Sequence, residues 1–225
     1  MTHLEDSFIE LDFKRFSDEE MRQRADEFYA DIDRRRSVRH FAPDPIPLDV
    51  LDRCILAGSS APSGAHKQPW TFVVVTDKKV QHEIRKAAEV EEHENYTGRM
   101  NEEWVEDLRP LGTDEHKPFL EIAPALIVCF RHAYGDEEGV RTQNYYTQES
   151  CGLACGFLLA ALHHAGLATL THTPSPMAFL QRILERPKNE KPFLLIPVGY
   201  PAEGCEVPDL TRKPIEEVRT WIGPR

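Results

Sequence analysis

The sequence predicts a sandwich of helices around a buried sheet, of the α+β or α/β class, on three observations. Three short apolar runs are β-branched or aromatic and bounded by Pro, Gly or Asp, which reads as buried strand rather than helix. Stretches of helical periodicity lie between them, an alternation that covers a sheet on both faces. No repeat or Ser/Gly linker divides the 225 residues, and with 40% apolar content a single domain over 1–225 is expected.

The elements follow in order. Ser17-Asp18-Glu19-Glu20 is a capping-box pattern opening a helix towards Arg34, with Met21, Ala25, Phe28 and Ile32 on one stripe. A second helix follows Pro47, where Leu48, Leu51, Ile55 and Leu56 recur at helical spacing and Gly58 marks a stop. Trp70 to Thr76, Ala125 to Phe130 and Phe193 to Val198 are the strands, with a weaker one from Ala168 to Thr173 ended by Pro174. Helices are expected from Lys79 to about Met100, about Thr142 to Ala165, and Met177 to Leu184. The run Cys151-Gly152-Leu153-Ala154-Cys155-Gly156 is small for a helix interior, a propensity cost that close approach of another backbone explains, with a subunit interface one place for it. Residues 89–117 stand apart: they carry many charges, few apolar residues, and the breakers Gly98, Pro110 and Gly112, so they should be mobile or cover something.

Composition excludes several functions. The formal charge of −11 argues against nucleic acid as a partner, since phosphate binding needs a basic footprint. The most apolar window, Cys151 to Leu162, falls well short of the ~20 residues a membrane span requires. The N-terminus lacks a basic stretch followed by an apolar run, so no secretory signal is expected. Five cysteines without framework spacing suit a reducing compartment, and a cytoplasmic protein is the expectation.

Several groups can carry chemistry. Arg34, Arg35, Arg36 and Arg39, beside Ser37, concentrate guanidinium groups that suit phosphate, although a solvated helix end explains them as well. Arg212-Lys213 reads the same way. Ser63, Gly64 and Ala65 lie in a loop that frees the backbone for a ligand or simply turns into the next strand. Thr169, Thr171 and Thr173 fall on one strand face around His172. Glu92 and Tyr96 share a helix face and, with Lys117, offer a carboxylate, a phenol and an ammonium that complement an amino-acid zwitterion. By spacing alone a solvated charged face is the more economical reading. Cys151 and Cys155 lack convergent ligands and read as small buried hydrophobes, not a metal site. No Ser-His-Asp order, phosphate-cradling glycine loop or dinucleotide fingerprint appears.

From about Arg34 to Pro214 the chain resembles the flavin-dependent nitroreductase superfamily. Arg35-Arg36-Ser37-Val38-Arg39, Ala61-Pro62-Ser63-Gly64-Ala65-His66 with Gln68-Pro69-Trp70, and Pro197-Val198-Gly199-Tyr200-Pro201 carry that resemblance. Glu92, Asn95, Tyr96, Arg99, Met100, Trp104, Asp107, Leu108 and Lys117 resemble the lid of its deiodinase subgroup. The resemblance implies a nitroreductase-like α+β sandwich with a central mixed sheet, an intertwined homodimer with flavin at the interface, and a mobile active-site lid over 89–117. It implies FMN held by Arg35, Arg36, Ser37, Arg39 and Arg212, with Ser63 and Thr171 to Thr173 against the flavin. His172 stands where the related pattern has Thr. Thr173 would donate to flavin N5 and tune it for one-electron chemistry. Glu92, Tyr96 and Lys117 would grip the zwitterion of a halogenated tyrosine, and the Ala65 N–H would meet its phenolate.

The implied activity is reductive dehalogenation of iodotyrosine or another halotyrosine, fed by an unidentified electron donor or reductase. A hydride-transferring nitroreductase or quinone reductase, and a non-catalytic halotyrosine- or flavin-binding module, are the alternatives. The membrane anchor of vertebrate members is not seen, which implies a soluble form. An ortho halogen lowers a phenol pKa from its ordinary ~10, so phenolate binding selects the halogenated form. Ordering ten lid residues costs roughly 10–20 kcal/mol of backbone entropy, so a bound ligand must offset closure.

Overall fold

The computed structural model describes residues 8–223. Residues 1–7, which begin the stretch read as lacking a secretory signal, and residues 224–225 lie outside the described residues. The chain divides into two compact units, Met1–Arg35 and Arg36–Arg225.

The first unit contains α1 (Asp18–Asp33). Its N-cap is the expected one: Ser17 Oγ accepts from the Glu20 N–H at 3.2 Å. No α1 residue is buried, and Met21 and Phe28 of its apolar stripe are exposed. Local contacts, such as Arg24 to Glu20 at 3.1 Å, accompany a helix whose apolar stripe is uncovered.

The second unit is built on a four-stranded antiparallel sheet in the order β1-β2-β6-β5: Trp70–Val75, Ala125–His132, Glu190–Gly199 and Ala168–Thr169. The expected mixed sheet is therefore antiparallel in all its described strand pairs, with a parallel bridge from Ser37 to Thr169 outside them. Residues 125–130 of β2 are all buried, because alternate side chains feed two cores. Leu126, Val128 and Phe130 pack with Ile84, Leu120 and Leu180; Ala125 and Ile127 pack with Leu51, Leu158 and Leu162. That double burial explains why the run is continuously apolar rather than alternating.

The helices are α2 (Leu48–Ser59), α3 (Lys78–Glu94), α4 (Glu102–Leu108), α5 (Phe119–Ile122), α6 (Thr147–His164), α7 (Ala178–Ile183) and α8 (Ile215–Val218). Two expectations need correcting. Gly58 is no stop: it is buried inside α2, where an added Cβ would lie 2.9 Å from Leu158 Cβ and 3.1 Å from the Ala154 carbonyl oxygen, so it lets α2 approach α6. The close approach expected at the Cys151–Gly156 run is thus made by α2 at Ala154, while Gly152 and Gly156 themselves have nothing within 4 Å of an added Cβ in this chain. The helix expected from Thr142 starts at Thr147 because residues 140–142 pair instead as β4 (Val140–Thr142) with β3 (Gly135–Glu137). Positive φ at Glu138 and Gly139 gives that hairpin the turn its twist requires.

Candidate active site

Strand pairing brings two of the sequence clusters together. The Val38 N–H donates to the Thr169 carbonyl at 3.0 Å beside the Ser37–Thr169 bridge, so residues 36–39 run alongside residues 169–171. Beyond Thr169 the register to β6 continues: Leu170 donates to the Pro197 carbonyl at 3.3 Å, and His172 and Leu195 exchange N–H to carbonyl bonds of 2.8 and 3.1 Å. Pro197 has no N–H to return, which is why the regular strand breaks there. Leu170 and His172 are buried, whereas Thr171 and Thr173 are exposed. Thr169 is itself only 3% exposed, so the three-threonine ladder offers two hydroxyls to a ligand.

The phosphate-type donors are unequal. Arg35 ends the first unit, its N–H donating to the Ile32 carbonyl at 3.1 Å. Arg36 donates to the carbonyl of Pro208, which ties down the segment leading to the exposed Arg212. Arg39 is half-buried and its pKa is lowered by that burial. Its charge also reaches Tyr96, Lys117 and His172.

The loop ahead of β1 is strained. Ala65, His66 and Gln68 all have left-handed backbones, with φ of 50°, 54° and 45°, unusual for residues with a Cβ. Ser63 holds the loop, its hydroxyl accepting from the Gln68 N–H at 2.9 Å and its carbonyl from the His66 N–H at 3.0 Å. Gly64 is required by close approach, since an added Cβ would lie 2.8 Å from the Tyr145 carbonyl oxygen.

Glu92, Tyr96 and Lys117 do meet, and not as a solvated face. Lys117 Nζ lies 3.4 Å from Glu92 Oε2, with the two side chains 3% and 12% exposed. It sits 5.7 Å from the centre of the Tyr96 ring and donates to Thr113 Oγ1 at 3.2 Å. The Tyr96 hydroxyl donates to the Thr113 carbonyl at 3.1 Å. A π-helical turn at Asn95–Arg99 follows α3, and Asn95 Nδ2 donates to the Ser175 carbonyl at 3.0 Å, so this turn touches the segment just past Thr173. Burial pushes the Glu92 carboxyl up, only partly countered by Lys117, and pushes the Lys117 ammonium down, only partly countered by Glu92. Burial thus outweighs the mutual attraction and leaves the pair electrostatically under-compensated, although the Lys117 ammonium already faces three acceptors: Glu92, Thr113 Oγ1 and the Asp114 carbonyl.

His172, for which a flavin contact was expected, has a buried side chain. Its backbone is committed to Leu195, and its ring packs edge-on against Phe119 at 5.5 Å, on the side opposite Thr171 and Thr173. Alternation along the strand requires this. The sequence reading also missed Glu89, which accepts from the Lys117 N–H at 2.7 Å and from Arg85 at 2.9 Å; only its position four residues after Arg85 was a visible signal.

The nitroreductase family model matches residues 32–200. The chain is 61% identical to the iodotyrosine deiodinase of Haliscomenobacter hydrossis, over 92% of this chain and 94% of the relative. The chain belongs to the nitroreductase family, in its iodotyrosine deiodinase branch. It is also 44% identical to human iodotyrosine deiodinase 1, over 95% of this chain and 75% of the relative. A crystal structure of oxidized iodotyrosine deiodinase bound to FMN and 3-iodo-L-tyrosine superposes with a TM-score of 0.70 at 29% identity, covering 88% of this chain and 97% of that one.

The donor set fits the FMN of this nitroreductase family. Arg36, Ser37 and Arg39 supply guanidinium and hydroxyl donors beside a strand that opens the Thr171 and Thr173 hydroxyls, each suited to phosphate or to a polar ring edge. Close approach accounts for Gly199 in the Pro197-to-Pro201 motif: an added Cβ there would lie 2.5 Å from the Pro124 ring.

Proposed function

We propose that this chain is an FMN-dependent reductive dehalogenase of iodotyrosine or a related halotyrosine, and that it works as a homodimer. The buried, under-compensated Glu92–Lys117 pair under Tyr96 carries the reading, because a substrate ammonium and carboxylate complete its charges. A broad nitroaromatic reductase has no use for such a pair.

In this reading Arg35, Arg36, Ser37, Arg39 and Arg212 hold the FMN phosphate and ribityl region, and Ser63, Thr171 and Thr173 line the flavin. Reduced FMN supplies the two electrons that, with one proton, replace the carbon–iodine bond by carbon–hydrogen and release iodide. Glu92 binds the ammonium, while Lys117 and Tyr96 bind the carboxylate. The Ala65 N–H donates to the phenolate from a strained loop that Gly64 and Ser63 hold in place. Thr173 presents its hydroxyl to flavin N5, and residues 89–117 close over the site to exclude water.

The uncovered faces of α1 and α6, with Phe28, Leu153 and Phe157 exposed, support the dimer. Among the described residues no helix is long and apolar enough to cross a membrane, which is compatible with a cytoplasmic location. A separate reductase or a nicotinamide cofactor would regenerate the flavin.

The deciding experiment is iodide release from iodotyrosine by the chemically reduced, FMN-loaded protein. Stoichiometric iodide supports the reading. Tight iodotyrosine binding without iodide would make the chain a binding module, and reduction of nitroaromatics or quinones without iodide release would make it an ordinary nitroreductase.

A further inference from the structure

The His172 imidazole is buried, and its Nε2 has no hydrogen-bond partner. A buried polar nitrogen left unpaired is unfavourable, so its persistence calls for a partner in another state of the site. Glu92 Oε1 is the facing acceptor, 3.9 Å away, while the other oxygen of the same carboxylate faces Lys117 at 3.4 Å. A closing movement of about 1 Å would bring the nitrogen and oxygen into hydrogen-bond range.

We propose that His172 is a positioning residue for substrate recognition: its Nε2–H donates to Glu92 Oε1 when the lid closes, so that Lys117 and His172 bracket the carboxylate that receives the substrate ammonium. The inference rests on the assignment of Glu92 as the ammonium ligand. Burial, then the charges of Lys117 and Arg39, push the imidazole pKa down to about 3, so the ring is neutral near pH 7 and adds no charge to repel the ammonium. A neutral imidazole carries one N–H, and a facing carboxylate favours placing it on Nε2. The ring is well anchored, by Phe119 edge-on at 5.5 Å and by the two backbone bonds to Leu195. Thr173 is the next residue, so the lid carboxylate is steadied from the strand that carries the proposed N5 donor.

The test compares His172→Gln, whose amide nitrogen approximates Nε2, with His172→Asn, whose shorter amide does not reach Glu92. His172→Phe fills the ring volume without a donor. Binding of iodotyrosine and of 2-iodophenol, which has no zwitterion, is measured on FMN-loaded protein by flavin fluorescence. His172→Asn and His172→Phe should each weaken iodotyrosine binding on the order of tenfold while leaving 2-iodophenol binding and FMN content as in the parent, and His172→Gln should recover most of the loss. In a Glu92→Gln background, His172→Asn should have little further effect. Equal iodotyrosine affinity for Asn, Gln and His, equal loss of 2-iodophenol, or full additivity with Glu92→Gln would each overturn the proposal. A parent protein that fails to bind iodotyrosine would instead overturn the functional assignment beneath it.

Discussion

Glu190 and Glu92 are both carboxylates drawn into the protein beside a cation, and they are held differently. Arg186 clasps Glu190 with two bonds of 2.7 and 2.8 Å, and Thr71 adds a third at 3.1 Å. Burial raises the Glu190 pKa, yet Arg186, Thr71 and His132 together bring it below the ordinary value. Glu92 faces the Lys117 ammonium at 3.4 Å and His172 Nε2 at 3.9 Å without a guanidinium clasp, and burial there prevails, leaving its pKa raised. The planar guanidinium completes the first carboxylate geometrically, which a point-like ammonium cannot do for the second. A satisfied pair is structural. An under-compensated buried pair is where a ligand gains most from binding.

Breaking the satisfied pair should have the largest effect on folding. Arg186→Ala leaves a buried carboxylate without its partner and is expected to cost about 3 kcal/mol in denaturant unfolding, with iodotyrosine affinity of the folded fraction unchanged. Glu92→Gln should do the reverse: affinity falls roughly 10- to 100-fold by fluorescence titration, with folding stability unchanged or slightly raised. A large stability loss from Glu92→Gln would erase the distinction.

Acid should separate the two sites. The raised Glu92 pKa means that ammonium binding is lost as pH falls through a value above the usual 4.5, and the depressed Lys117 pKa sets an alkaline limit below 10.5. Glu190 has a depressed pKa, so its stabilisation is present above 4.5 and is lost only as pH falls through its lower folded value. Iodotyrosine affinity should therefore fade before this contribution to folding does, as parallel binding and circular-dichroism titrations would show. His172, depressed to about 3, contributes stability above 6.5 that is lost as pH falls towards 3, so His172→Gln should flatten that acid limb. The smallest effect expected is from Thr71→Val, which removes one bond to Glu190 and should cost about 1 kcal/mol.

Legibility in the sequence varied with the range of the interaction. The continuously apolar run from Ala125 and the Ser17 cap were readable because periodicity and capping are local. The cationic segment and the Thr171–Thr173 stretch were visible separately, but their adjacency depends on a parallel bridge between residues far apart in sequence. Gly58 was misread because a glycine near a helix end resembles a stop, and only the nearness of Leu158 shows its use. Glu92, Tyr96 and Lys117 were legible as a set through resemblance; on spacing alone they read as solvent-facing.

By itself, then, the sequence determined the strands, most of the helices, the net acidity, the family, and the residue types that a phosphate and a zwitterion require. Tertiary structure decided which carboxylate is satisfied and which is under-compensated, where His172 points, and which two threonines remain open. These depend on burial and on distances of a few ångströms between distant segments. Dielectric and geometry at that scale set whether a charge is neutralised or left ready for a ligand.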